Sequence, residues 1–275
     1  MGITAGMVKA LRDKTGLPMM ECKQALTEAD GDEQKAVELL RKKGLAQLSK
    51  RASRETAEGR VAFSMDPDSG RVALIEVLCE TEPVTTTEDF LKLCQAAAQI
   101  TARIDSPTPE TIVEQALPDD PSRKLGDVLQ DIVNRIRENI RIGRVSTVSG
   151  NVGHYVHHDG RKGVLVEFSN ECPEEVAADV CMHIVAMRPP YARREDVPSD
   201  MVESERALAT EQVKGKPEHL VDKIVTGKLN RWYSEIVLLE QPFVKEEKKS
   251  VQQILREASP ELTVTRFVRL EIGEG

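Results

Sequence analysis

Two short apolar runs limit most strongly what this chain can fold into. Val72-Ala73-Leu74-Ile75 continues into Glu76-Val77, and Val164-Leu165-Val166 continues into Glu167-Phe168. Each is short, rich in β-branched residues and bounded by turn-forming segments, so each reads as a buried strand. A polar, acidic loop follows each run, and then a helical stretch with a cysteine, Cys94 after the first and Cys181 after the second. The repeated order predicts an internal duplication: two α+β halves, each with hairpin strands and packed helices. The expected fold class is therefore α+β with antiparallel sheets.

Ahead of these halves, residues 3–44 read as three short helices. Thr4 is a candidate N-cap for a helix over 5–14 with Val8 and Leu11 on one face. Gly16 ends it, and Pro18 opens a second helix over 19–29. Asp32 is placed to cap the third, and Gly44 to close it. Three helices of this length share a thin core. Met19 and Met20 are adjacent, so they point in different directions and can hardly both be buried. Exposed methionines suit an adaptable protein-contact surface; the plainer alternative is that one of them fills the core. Residues 45–58 read as a basic helical linker. A basic cluster of Arg41, Lys42, Lys43, Lys50, Arg51 and Arg54, running from the third helix into this linker, reads as a solvated helix end and linker. The expected organisation is a three-helix domain over 1–45, a linker over 46–58, a first core half over 59–143 and a second over 144–275. A charged helical hairpin is inserted in the second half at about 199–229, with Lys214-Gly215-Lys216-Pro217 as its turn.

The loop after the first apolar run is the best candidate for function. Leu78 to Phe90 reads LCETEPVTTTEDF, with acids, a proline and four threonines between a strand and a helix. Its hydroxyls and carboxylates cannot enter a core without specific partners, and polar loops on rigid scaffolds often carry function. The alternative is a solvated connector.

Other chemistry is scarce. There is no phosphate loop, nucleophile elbow or HExxH motif. Five scattered cysteines without a CxxC read as reduced, structural thiols. The net charge of −8 argues against a nucleic-acid backbone binder. No apolar run is long enough for a membrane helix, and the N-terminus does not read as a signal peptide. His154, His157 and His158 surround a hairpin turn in poor metal geometry, because adjacent strand residues face opposite ways. His183 lies mid-helix, either buried and hydrogen-bonded or available as a contact. A nucleophilic enzyme would need one of Cys79, Cys94 or Cys181 within hydrogen-bond reach of His183.

Taken together, many short motifs resemble the bacterial elongation factor Ts family over nearly the whole chain. They include Leu11-Arg12, Thr15-Gly16, Met19-Met20-Glu21-Cys22-Lys23-Gln24-Ala25-Leu26 and Gly31-Asp32. Further on come Glu80-Thr81, Glu88-Asp89-Phe90, Glu138-Asn139-Ile140, Met182-His183, Gly215-Lys216-Pro217, Gln241-Pro242-Phe243-Val244 and Glu271-Ile272-Gly273-Glu274-Gly275. The resemblance implies an N-terminal three-helix ubiquitin-associated-like domain, a two-part α+β core and an inserted helical hairpin. It implies a cytoplasmic guanine-nucleotide exchange factor that promotes GDP release from elongation factor Tu during translation elongation. No cofactor, covalent chemistry, direct nucleic-acid contact or membrane is implied. The logic is linkage: a partner that prefers the empty GTPase must lower its affinity for GDP by the same factor. The Mg²⁺ ion bridging the phosphates is the weak joint, because its octahedral shell tolerates little displacement.

Carried over residue by residue, Met19, Met20 and Lys23 would meet the nucleotide-binding domain, and His183 would belong to the half that meets a β-barrel domain. The family's Thr-Asp-Phe-Val loop, which displaces Mg²⁺, falls on Thr81, Glu82, Pro83 and Val84. Glu82 keeps the carboxylate one methylene further out, whereas Pro83 replaces the aromatic wedge. That change leaves two readings open: an active exchanger, or a non-exchanging adaptor or chaperone-like binder of elongation factor Tu. The family forms one-to-one or two-to-two complexes, and the hairpin could serve a homodimer. A further C-terminal helix common in the family is expected to be missing here, because the sequence stops at Gly275.

Overall fold

Thr4 is the first residue to shape the backbone, its Oγ1 accepting the Met7 N–H at 3.3 Å to cap α1 (Ala5–Thr15). Gly16, at φ +68°, ends that helix and returns its N–H to the Arg12 carbonyl at 2.7 Å. α2 (Met19–Glu28) follows Pro18, and α3 (Glu33–Arg51) starts where Asp32 Oδ1 accepts the Lys35 N–H at 3.0 Å. Leu11, Cys22, Ala25, Leu26, Ala36 and Leu40 form the small core of this bundle. The computed structural model describes residues 2–214 and 216–274, except the side chains of 45–50 and 218.

α3 does not stop at Gly44, as its sequence suggests, but runs seven residues further to Arg51. Gly44 is buried in the seam with a later helix, where an added Cβ would lie 2.2 Å from Asn134 Nδ2. The glycine marks a close helix approach rather than a helix end. The basic cluster is exposed at Arg41, Lys42, Lys43 and Arg54, as its sequence suggests, but Arg51 is buried and most of the cations have partners. Arg41 pairs with Asp127, Lys43 with Glu28 at 2.8 Å and Arg54 with Glu80 at 3.3 Å, while Arg51 is buried and donates to the Val133 carbonyl. The partners of Arg41, Arg51 and Arg54 lie outside the bundle and fasten it to the rest of the chain, whereas Glu28 lies within it on α2. The side chain of Lys50 lies outside the described residues.

The first sheet has the order β1-β2-β3, all antiparallel, from β1 (Glu58–Met65), β2 (Val72–Cys79) and β3 (Arg141–Val148). Between β2 and β3 come a 3-10 turn (Glu82–Thr86), α4 (Glu88–Arg103), α5 (Pro109–Val113) and α6 (Leu125–Ile136). The second sheet has the order β4-β5-β8. Its elements are β4 (Asn151–Val156), β5 (Lys162–Phe168) and, after α7 (Glu174–Met187), α8 (Ser199–Glu211) and α9 (Glu218–Ile236), a short β6 (Pro242–Phe243) and β7 (Glu246–Ser250) ribbon, α10 (Val251–Ala258) and β8 (Val264–Glu271). The two apolar runs are thus the central strands of two antiparallel sheets, and the fold is α+β.

The duplication extends to the charges. Glu76 on β2 pairs with Arg144 on the neighbouring β3 at 2.6 Å, and Glu167 on β5 pairs with Arg266 on the neighbouring β8 at 2.6 Å. Each helix after a central strand buries its cysteine, Cys94 and Cys181. The halves meet face to face at Gly163, where a Cβ would sit 2.6 Å from Val61 Cγ1 and 2.9 Å from Leu74 Cδ1. The Val61 N–H donates to the Gly160 carbonyl at 2.7 Å, and Arg144 reaches the Glu271 carbonyl at 2.8 Å, so both ends of the contact are fastened.

The second arm of the helical hairpin is longer than expected, continuing past Leu229 to Ile236. Tyr233 is buried at its base with the Arg194 guanidinium 4.3 Å above the ring centroid, so this ring belongs inside the hairpin seam. Gly215 of the turn and Gly275 at the end lie outside the described residues. Among the described residues, no helix is long and apolar enough to cross a membrane.

Candidate functional site

β2 is buried along its full length, and the chain reaches the surface only after Cys79. Two rungs catch it there. The Asn139 N–H donates to Glu80 Oε1 at 2.6 Å, and the Thr81 N–H and Oγ1 donate to the Glu138 carboxylate at 3.0 and 2.6 Å. Thr81, Glu82 and Pro83 are exposed. Val84 turns inward and is buried in the first core with Phe90 and Leu93. The threonines cap the 3-10 turn from within: Thr85, Thr86 and Thr87 donate their hydroxyls to the carbonyls of Glu82, Pro83 and Val84 at 2.7, 3.1 and 2.8 Å. Every loop hydroxyl has a partner, which is how Thr85 can be buried. The loop is a fixed turn with a short exposed tip, Thr81-Glu82-Pro83.

The α2 surface is linked to the loop through the same turn. Met19 is 44% and Met20 73% exposed, and Lys23 is exposed with no ammonium partner among the described residues. Glu21, between Met20 and Lys23, pairs with Arg137. Arg137 is the residue just before Glu138 and takes a left-handed conformation at φ +68° to end α6. A single turn, 137–139, therefore holds α2 with one residue and the loop tip with the next. A second strut runs parallel to it. Gly16, at the α1–α2 turn, sits so close to Arg135 that a Cβ would be 2.7 Å from Arg135 Cδ, and Arg135 pairs with Asp89 of α4 at 2.7 Å. The α2 helix that carries Met19, Met20 and Lys23 and the Thr81–Pro83 tip are thus both tied to the end of α6 and the turn after it.

His183 is elsewhere, set against the second core and fully buried. Its Nδ1 accepts the Val244 N–H at 3.2 Å, so the proton sits on Nε2, which donates to Gln241 Oε1 at 2.9 Å. Gln241 is oriented for this because its own Nε2 donates to the Glu235 carbonyl at 2.9 Å. Burial holds the imidazole below its ordinary pKa, outweighing the opposing pull of Gln241. The ring stacks against Phe243 at 5.7 Å between centroids. His183 therefore presents no surface; it fixes the 241–244 segment. Val244 is 44% exposed, and so is Met187 at 46%, one helical turn beyond His183 on the same face. These two flanking residues are not distinguished by the sequence, because exposure of a Met or Val has no local signature.

The thiols are not arranged for nucleophilic chemistry. Burial pushes Cys79 and Cys94 up to about 12 and Cys172 up to about 11, and it raises Cys181 as well. Both ring nitrogens of His183 are engaged by Gln241 and Val244. Cys79 instead donates its Sγ–H to the Thr81 carbonyl at 3.3 Å, adding a contact under the loop tip. What this arrangement offers is exposed residues on fixed backbone, at the Thr81–Pro83 tip and on α2, and at Met187 and Val244 beside His183.

Known proteins share this framework. The family model described as elongation factor TS matches residues 80–274, from the loop tip to the end of β8 and beyond. A protein of Aquifex aeolicus (strain VF5) named elongation factor Ts is 42% identical over 286 aligned residues, covering 99% of this chain and 99% of its own length. The chain belongs to the elongation factor Ts family. Elongation factors Ts of Clostridium perfringens (strain SM101 / Type A) and Nautilia profundicola are 40% and 39% identical, each covering 99% of this chain and 94% of the relative. The α2 surface precedes the region matched by the family model but is inside the region aligned with these relatives. As a member of the elongation factor Ts family, the chain is a translation elongation factor.

Proposed function

We propose that this elongation factor Ts family member is a cytoplasmic guanine-nucleotide exchange factor for elongation factor Tu. It accelerates GDP release by binding the nucleotide-free GTPase more tightly than the GDP form, which lowers GDP affinity by the same factor. The observation that supports the reading is that one turn, 137–139, holds both the exposed Thr81-Glu82-Pro83 tip and the helix that exposes Met19, Met20 and Lys23. Val84 anchors the tip in the core, so the tip can press on a partner without folding back. In this reading the Glu82 carboxylate and Pro83 enter the GTPase beside the phosphate-bound Mg²⁺ and disturb its octahedral shell. The methionines supply adaptable apolar contact to the nucleotide-binding domain, with Lys23 as a charged neighbour. His183 acts through the segment it holds, placing Val244 and Met187 against a second partner domain. The factor itself needs no cofactor and makes no covalent bond.

The test is release of fluorescent GDP from the same organism's elongation factor Tu in a stopped-flow instrument. The release rate is expected to rise with factor concentration and to saturate. Pro83 favours one competing reading, a non-exchanging adaptor, because a proline buries less apolar area than an aromatic wedge. An adaptor would bind elongation factor Tu and leave the release rate where it was.

A further inference from the structure

The exposed tip stands between two posts. On its C-terminal side, Val84 is buried in the first core and the threonine hydroxyls close the 3-10 turn. On its N-terminal side, the polar post is one carboxylate, Glu138, which takes both the Thr81 N–H at 3.0 Å and the Thr81 Oγ1–H at 2.6 Å. Thr81 is extended, at φ −131° and ψ +148°, so its two donors point the same way only while one acceptor holds both. The neighbouring rung, the Asn139 N–H to Glu80 Oε1 at 2.6 Å, keeps Glu138 opposite Thr81. Glu138 is half-buried and 57 residues from Thr81. Arg137, immediately before it, holds Glu21 on α2.

We propose that Glu138 is a positioning residue for nucleotide exchange, fixing the direction in which the Glu82–Pro83 tip leaves the sheet and its distance from the Met19–Met20 surface. This inference rests on the reading of the tip as the part that enters the GTPase. Glu138 need not touch the partner. Its contribution is to spare the tip an ordering cost when the complex tightens, so it acts on the release step more than on the first encounter.

The experiment follows fluorescent-GDP release from elongation factor Tu as a function of factor concentration, which separates the maximal rate from the half-saturating concentration. Glu138→Ala is expected to lower the maximal rate about tenfold, with a smaller change in half-saturation, the scale of a lost hydrogen bond to a charged group. Glu138→Gln keeps an acceptor in place and should recover much of the rate. Thr81→Val, which removes the hydroxyl alone, should slow release in the same direction but less. A tip variant carrying Glu82→Ala and Pro83→Gly should slow release by itself, and adding Glu138→Ala to it should do little more, because the two act through one element. Thermal unfolding of each variant reports whether the fold is intact.

Two failures are distinguishable. A tip variant that releases GDP as fast as the parent overturns the reading of the tip and this inference with it. A slow tip variant combined with normal release by Glu138→Ala and Thr81→Val, or with losses that multiply in the triple variant, leaves the exchange reading standing. It would make Glu138 an ordinary structural residue.

Discussion

Replacing His183 by alanine tests how the 241–244 segment is held. The ring is fully buried, so removal loses packing against Phe243 as well as two hydrogen bonds. The Val244 N–H lies beside an exposed residue and can recover water, costing about 1 kcal/mol. Gln241 is 2% exposed, and its Oε1 would be left without a donor, a loss of roughly 1–3 kcal/mol. The remaining space adds about 1–2 kcal/mol. The sum, roughly 3–6 kcal/mol, should appear in urea unfolding followed by circular dichroism, with a melting temperature lower by about 5–10 °C. The pH dependence is a second signature. The folded pKa of His183 lies below its ordinary 6.5, so the unfolded chain takes up the proton first as pH falls. The stability from the neutral ring is complete above about pH 6.5 and is lost as pH falls through the folded value, with a slope of at most about 1.4 kcal/mol per pH unit. The difference between parent and His183→Ala should therefore narrow below pH 6.5. A loss under about 1 kcal/mol, or a difference independent of pH, would refute the account of a neutral, doubly bonded imidazole.

Other expectations follow from the same contacts. Gly163→Ala would place a methyl 2.6 Å from Val61 Cγ1, so overpacking should cost about 1–3 kcal/mol in urea unfolding. Arg137→Gly removes a left-handed strain of about 1 kcal/mol and an exposed ion pair worth about 0.2–1 kcal/mol, leaving stability within about 1 kcal/mol of the parent. It frees Glu21, so the factor concentration needed for half-maximal GDP release should rise, as a titration will show. Pro83→Phe restores aromatic area worth up to about 1.5–3 kcal/mol if it is buried in the partner. It should change the stopped-flow release rate, and identical rates would mean that position 83 stays outside the GTPase.

The parts of the fold legible in the sequence are those set by local chemistry. The helical stretch expected after the second apolar run, with Cys181 in it, is α7 (Glu174–Met187). Thr4, Gly16 and Asp32 act as the caps their types suggest. Gly44 misled because a glycine that ends a helix and one that lets two helices touch look alike until Asn134 is placed beside it. The hairpin expected to end near 229 continues because Tyr233 is buried at its base with Arg194 against its ring. The candidate contact residues were visible as types: paired methionines, a polar loop, a mid-helix histidine. What joins them was not. Glu21 and Arg137 are 116 residues apart, and His183 and Gln241 are 58 apart. No spacing rule connects such pairs, because only the packed α3–α6 seam and the second core bring them together.

The most direct test of the exchange reading is the rate at which elongation factor Tu from the same organism loses fluorescent GDP when this protein is mixed with it. A rate that climbs with factor concentration to a plateau, and falls when Glu82 and Pro83 are replaced, is the expected result. A complex that forms while GDP leaves at its unassisted rate would contradict it.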